Sequence, residues 1–162
     1  MAQEKTITLT VNGETRRLSP TANRTLLDGL RELGYVDVKS GCEKGDCGAC
    51  AILLDGKAVD SCLTLFWQAA GRAVTTVAGI GNVNNPHAIQ DAFVDAGAVQ
   101  FGYCTPGMVV ATKALLDANP DPSDEEIKAG LSGNLCRCTG YTRIFMAVHQ
   151  AADALRETGD GS

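Results

Sequence analysis

Cys42, Cys47 and Cys50 stand at C-x4-C-x2-C spacing, and Cys62 follows after eleven further residues. This is a spacing with which thiolates hold a [2Fe-2S] cluster. Two irons bridged by two sulfides need four thiolates converging from one side. The loop from Gly41 to Cys50 also carries Gly45 and Gly48, and glycine takes positive φ without steric cost, so the backbone can curl tightly. Its N–H groups would then face the cluster sulfurs and offset the negative charge that the thiolates bring and that reduction increases. Other chemistries fit less well. A zinc site more often shows two C-x2-C knuckles or a histidine partner, and only Cys47 and Cys50 form such a pair. A disulfide framework suits a short secreted chain, and nothing marks this one as secreted.

A second constellation lies further on. Gln100-Phe101-Gly102-Tyr103-Cys104-Thr105-Pro106-Gly107 precedes one helical stretch, and Gly133-Asn134-Leu135-Cys136-Arg137-Cys138-Thr139-Gly140-Tyr141 precedes another. The seven cysteines of the chain are an odd number for two four-thiolate sites. His87 and His149, the only histidines, lie near no cysteine in sequence and read as surface or helix-terminus residues rather than ligands. No phosphate loop, Ser-His-Asp order or carboxylate pair rises above chance.

The elements that must position these thiols are legible in outline. Thr6 to Val11 alternates apolar and polar residues, Asn12-Gly13 is a strong hairpin turn, and Glu14 to Leu18 returns as a second strand. Asn23 is a candidate cap for a helix carrying Leu26, Leu27, Leu30 and Leu33, ended by Gly34. After the cysteine loop, Ala51 to Leu54 and Lys57 to Val59 flank Asp55-Gly56, a hairpin that returns Cys62 beside the loop the chain has just left. A short strand follows near Ala73 to Thr76. These elements predict a β-grasp over residues 1–78, the fold of plant-type ferredoxins. Residues 79–86 are rich in turn formers and read as a linker.

Residues 87–162 read as helical. His87 to Ala96 is a short helix stopped by Gly97, and Thr105 is a candidate N-cap with Pro106 at the first helical position of a segment running to about Ala118. Ser123-Asp124-Glu125-Glu126 is a capping box, and Thr142 to Arg156 places Ile144, Phe145, Val148, Ala151, Ala152 and Leu155 on one face. Four helices with short connections predict a compact bundle, so the fold class is α+β.

Composition limits the function. The 162 residues suffice for one domain or two small ones, and the net charge of -5 argues against nucleic acid, as does a single tryptophan, Trp67, with no stacking platform around it. No apolar run reaches the ~20 residues of a membrane-spanning helix. Arg16-Arg17 sits within a strand-like stretch and is a poor twin-arginine signal, so a cytoplasmic protein with metal-bound rather than disulfide-bonded cysteines is expected.

The two cysteine sets in this order resemble the small iron-sulfur subunit of the molybdenum hydroxylases, over nearly the whole chain. The resemblance implies two [2Fe-2S] clusters: an outer one on Cys42, Cys47, Cys50 and Cys62, and an inner one on Cys104, Cys136 and Cys138. It implies an electron relay from molybdopterin on a large subunit toward FAD on a medium subunit, with no substrate chemistry on this chain. It also places Gln100 and Cys138 against the pterin. The family has Cys-Gly-x-Cys where this chain reads Phe101-Gly102-Tyr103-Cys104, so Phe101 stands in place of the inner cluster's fourth thiolate, and phenylalanine does not ligate iron. Tyr103 and Thr105 are then the nearest side-chain oxygens. A second function, a free-standing ferredoxin-like carrier or a zinc or thiol regulatory module, would need only the first cysteine set; the helical segment with its C-x-C favours the relay.

Overall fold

The computed structural model describes residues 6–158. Strands β1 (Ile7–Val11), β2 (Glu14–Leu18), β3 (Ala51–Leu54), β4 (Lys57–Asp60) and β5 (Ala73–Thr75) form one mixed sheet in the order β2-β1-β5-β3-β4. β1 and β5 run parallel, and the other neighbours are antiparallel. Both hairpin turns take the left-handed conformation that Asn-Gly and Asp-Gly permit: Asn12 and Gly13 at φ of 50° and 83°, Asp55 and Gly56 at 50° and 79°. Their side chains do more than turn the chain. Asn12 Oδ1 accepts from the Thr76 N–H at 2.9 Å, and Asp55 accepts from the Ala73 N–H at 2.8 Å and from Arg72 Nε at 2.6 Å, so each turn ties down one end of β5.

Helix α1 (Leu26–Glu32) lays Leu26, Leu27 and Leu30 on the sheet with Ile7, Leu9, Val11, Ile52, Leu54, Phe66 and Val74. Its cap is Thr25, whose hydroxyl accepts from the Asp28 N–H at 3.1 Å; the expected cap, Asn23, lies in the turn before it. The Arg24 carbonyl accepts from Phe66 N–H and the Leu26 N–H donates to the Thr64 carbonyl, which holds Thr25 between them extended and leaves the helix to start after it.

Beyond β5, a one-turn helix α2 (Val77–Ile80) occupies the start of the turn-rich stretch. Helices α3 (Ala88–Asp95), α4 (Thr105–Ala118), α5 (Asp124–Gly130) and α6 (Thr142–Thr158) follow, with a second core of Ile89, Phe93, Met108, Val109, Leu116, Ile127, Leu131, Ile144 and Val148 between them. Helix α4 starts one residue earlier than its sequence suggests: Cys104 is the N-cap, its carbonyl accepting from Met108 N–H, and Thr105 is already in the first turn. His87 caps α3 through Nδ1, and His149 pairs with Asp124 on an exposed face of α6.

The two halves share a seam. All four residues of β3 are buried: Ile52 and Leu54 face the sheet core, while Ala51 and Leu53 pack on Val110 of α4. No helix among the described residues is long and apolar enough to cross a membrane.

Two local interactions predict measurable effects. Ser123 accepts from the Glu126 N–H while Glu126 accepts from the Ser123 N–H at 2.8 Å. Ser123→Ala should destabilise the helical half by about 1 kcal/mol, read as a lower urea midpoint. Arg72 and then the Ala73 N–H hold the Asp55 carboxyl below its ordinary range. Its contribution is therefore complete above the unfolded carboxylate pKa of about 4 and is lost as pH falls through the lower folded value. Asp55→Asn should lower the urea midpoint at neutral pH, and the gap from the parent should close in acid.

Candidate iron-sulfur site

The first cysteine loop connects α1 to β3 and folds back on itself through positive φ at Glu43 (57°), Gly45 (84°) and Gly48 (67°). Gly41 serves differently: a Cβ there would sit 2.7 Å from Cys47 Sγ, so the side chain is excluded by the thiol itself. The curl aims the N–H groups of Lys44 and Asp46 at Cys42 Sγ, at 3.4 and 3.3 Å. These donors, the Lys44 N–H foremost, outweigh desolvation and bring the Cys42 thiol down to about 7. Cys50 is buried on the β3 side, where desolvation and then its neighbours Cys62 and Asp60 push it up to about 12. The β3–β4 hairpin does return Cys62 to the loop, beside Cys50.

Among the described residues no three His, Cys, Asp or Glu side chains converge on a single metal position. The four thiols instead stand in interacting pairs, Cys42 with Cys47 and Cys50 with Cys62. Two ligands per iron is the demand of a binuclear core, and the donor set suits it: four thiols, backbone N–H groups aimed at sulfur, and a glycine where a Cβ would clash.

The second thiol group gathers at the start of α4 and in the loop between α5 and α6. Cys104 and Cys136 interact directly, and Cys138 lies near enough to perturb Cys104. Desolvation, then Cys136, raises the Cys104 thiol to about 11. Cys136 is raised by burial, but the Thr139 hydroxyl at 3.2 Å and the N–H groups of Thr139 and Cys138 overcome this and bring it to about 7. These three thiols line a cavity of about 210 Å³ with Gln100, Phe101 and Leu135. Gln100 Nε2 donates to the Cys138 carbonyl at 3.2 Å, a link across 38 residues that joins the two segments at the surface. Phe101 is 87% exposed. Tyr103 lines the same cavity, its hydroxyl donating to the carbonyl of Ser40 in the first cysteine loop's approach, and Thr105 lines a different cavity with Val77 and Phe93. The Tyr103 hydroxyl is thus committed to Ser40, and Thr105 lies outside the thiol cavity.

Sequence reasoning did not find the residues that hold these loops together. Tyr141, in the left-handed region at φ 66°, accepts from the Cys136 N–H at 2.8 Å and donates to the Asn134 carbonyl at 3.3 Å, clamping the C-x-C loop. The Leu135 N–H donates to the Cys47 carbonyl at 3.0 Å, and buried Asn134 donates through Nδ2 to the Gly48 carbonyl at 3.1 Å. The two thiol loops are thus hydrogen-bonded back to back. A Cβ on Gly107 would lie 2.1 Å from the Gly48 oxygen, so this glycine is what lets α4 approach.

Comparison with known proteins agrees with this geometry. Residues 9–73 match the 2Fe-2S iron-sulfur cluster binding domain family, and residues 76–149 match the [2Fe-2S] binding domain family. The chain is 50% identical to the nicotinate dehydrogenase small FeS subunit of Eubacterium barkeri over 91% of its own length and 95% of that subunit's. It is 45% identical to the aldehyde oxidoreductase of Megalodesulfovibrio gigas, covering 89% of this chain but 16% of that longer protein. The crystal structure of quinoline 2-oxidoreductase from Pseudomonas putida 86 superposes with a TM-score of 0.90 at 42% identity, covering 96% of this chain and 98% of the matched one. With both cysteine-bearing halves matched, in the same order and to a relative of nearly equal length, the chain belongs to the family of [2Fe-2S] small subunits of the molybdenum hydroxylases.

Proposed function

We propose that this chain holds two [2Fe-2S] clusters, one on Cys42, Cys47, Cys50 and Cys62 and one on Cys104, Cys136 and Cys138, and relays electrons from molybdopterin on a large subunit toward FAD on another. The N-terminal half, residues 1–78, is read as a β-grasp, and residues 87–162 as a four-helix bundle joined to it through 79–86. One observation carries the reading: the Leu135 N–H bonded to the Cys47 carbonyl places the two thiol loops one hydrogen bond apart. A relay needs its carriers close and fixed, and this contact, with Asn134 on Gly48, fixes them.

When bound, such clusters supply one-electron carriers whose potentials follow charge, hydrogen bonding and exposure. The chain's own part is to set those conditions. Lys44 and Asp46 N–H groups stabilise negative charge at Cys42, and the Thr139 hydroxyl does so at Cys136. Around the second group, Tyr103 (53% exposed), Leu135 (54%) and Phe101 form an apolar rim suited to a large partner subunit. In this reading Gln100 and Cys138 meet the pterin, which their link and their exposure support.

Metal analysis and gel filtration of the native protein test the reading. Four irons per chain and co-elution with a larger, molybdenum-containing subunit are expected. Elution alone at the chain's own mass of 16.9 kDa, without molybdenum, would overturn it.

A further inference from the structure

Asp60, the last residue of β4, carries its carboxylate against the first thiol group: Oδ1 lies 3.6 Å from Cys50 Sγ. Four hydrogen bonds fix that approach. The Asp60 carbonyl accepts from the Leu63 N–H at 3.1 Å and from the Thr64 hydroxyl at 3.0 Å. The Cys50 carbonyl accepts from fully buried Ser61 twice, from its N–H at 3.4 Å and its hydroxyl at 2.7 Å. Residue 60 also stands opposite Ala51 across the β3–β4 hairpin, so its backbone cannot retreat from Cys50.

The acid is uncompensated. Asp55 is matched by Arg72, Asp117 by Lys113 and Asp121 by Arg156, whereas among the described residues no Lys, Arg or His pairs with Asp60. Asp60 lines a cavity of about 320 Å³ whose walls include Ala58, Ala111, Ala114 and Leu115. Apolar walls screen a charge less than water does, so its field reaches the neighbouring sulfur. The strand itself does not call for a carboxylate: Ala58, two residues earlier and on the same face of β4, presents a methyl to the same cavity.

With a thiolate at Cys50, two negative charges are held side by side, and an added electron meets the repulsion of both. We infer that Asp60 sets the potential of the outer carrier: its carboxylate, fixed beside Cys50, makes that site the readier to give its electron up. One electron enters from the preceding carrier and one leaves to the acceptor, while Asp60 exchanges neither atom nor proton. This rests on the outer four-thiol site of the reading above.

The experiment titrates the assembled enzyme against potential and follows the EPR signal that Cys47→Ser removes, with the other signal as internal control. Asparagine keeps the shape of the side chain and removes the charge. In Asp60→Asn the reduced-to-oxidised ratio of the outer signal at a fixed potential should rise about tenfold, equal to a midpoint about 59 mV higher for one electron. The other signal should stay within about twofold of the parent, and so should the outer signal of Asp60→Glu, which restores the charge. Ala58→Asp adds a carboxylate on the same face of β4, further from Cys50, and should lower the outer ratio about threefold. It decides the matter if Asp60→Asn loses its outer iron. An outer midpoint unmoved in Asp60→Asn, or moved equally in Asp60→Glu, would overturn the inference and leave the two-cluster reading standing, as would an Ala58→Asp protein with no fall. A parent with no signal that Cys47→Ser removes would overturn both.

Discussion

Gly107→Ala should separate the two halves of the molecule at their closest point. The added methyl would sit 2.1 Å from the Gly48 carbonyl oxygen and 3.1 Å from Asn134 Nδ2, and the first of these is backbone in a loop already bent through a left-handed glycine. Neither side yields easily. Gly48 cannot retreat without releasing the Ala51 N–H, bonded to the same oxygen at 3.1 Å at the start of β3. Helix α4 cannot retreat without opening the contact of Val110 on Ala51 and Leu53. Overpacking of this kind costs roughly 1–3 kcal/mol, and a buried donor left unpaired at Asn134 adds a similar amount. The expected result is a loss of about 2–5 kcal/mol, with hydrogen exchange accelerated at Leu135, whose N–H makes a neighbouring bond across the seam. Asn134→Ala, which removes the donor without adding bulk, should lose the smaller share. Unchanged protection at Leu135 in Gly107→Ala would show that the seam does not depend on this approach.

That seam marks the boundary of what the sequence discloses. Features set by neighbouring residues were readable. Asn12-Gly13 and Asp55-Gly56 adopt the conformations expected of them because two consecutive positive φ values suit few other pairs. Ser123 and Glu126 form the capping box their spacing predicts. The cysteine spacing was legible for the same reason, since a tight loop leaves few ways to converge thiols. Features set by distant residues were not. Asn23 is a good cap by type, yet the pairing of residues 24–26 with the segment around Leu65 decides where α1 begins. Tyr141 reads as an ordinary residue after a glycine, and only the folded chain shows its hydroxyl between Cys136 and Asn134. Gly107 belongs to a motif noticed for its cysteine and proline, and the reason for a glycine there lies 59 residues earlier, at Gly48. Glu43 carries a strained φ inside a loop with glycines on either side, and nothing in its type announces it.

Cys47→Ser should remove the outer cluster and leave the seam intact, because the residue takes part in the two through different atoms. Its sulfur pairs with Cys42 and lies against Gly41, while its carbonyl accepts from the Leu135 N–H at 3.0 Å. Serine keeps the backbone and nearly the same volume, so the Leu135 bond and the fit against Gly41 persist. What changes is the donor. A serine hydroxyl is far less acidic than a thiol and is the harder ligand, so it binds iron in a sulfide core poorly. Iron should therefore fall from four to about two per chain, and one of two EPR signals should vanish or change its form. Electron delivery to the proposed flavin acceptor should fall at least ~100-fold, the loss expected when one carrier of a series is removed, since about 2.7 kcal/mol on a barrier already gives that factor. The cluster-free proteins supply the control. With no iron in either, parent and variant should unfold within ~0.5 kcal/mol of each other, as a near-isosteric change at a half-exposed position does. If Cys47→Ser kept four irons and both signals, Cys47 would not be a ligand, and the pairing of Cys42 with Cys47 would need another explanation. If it lost its iron and also unfolded more easily without metal, the thiol would be holding the loop as well as the cluster.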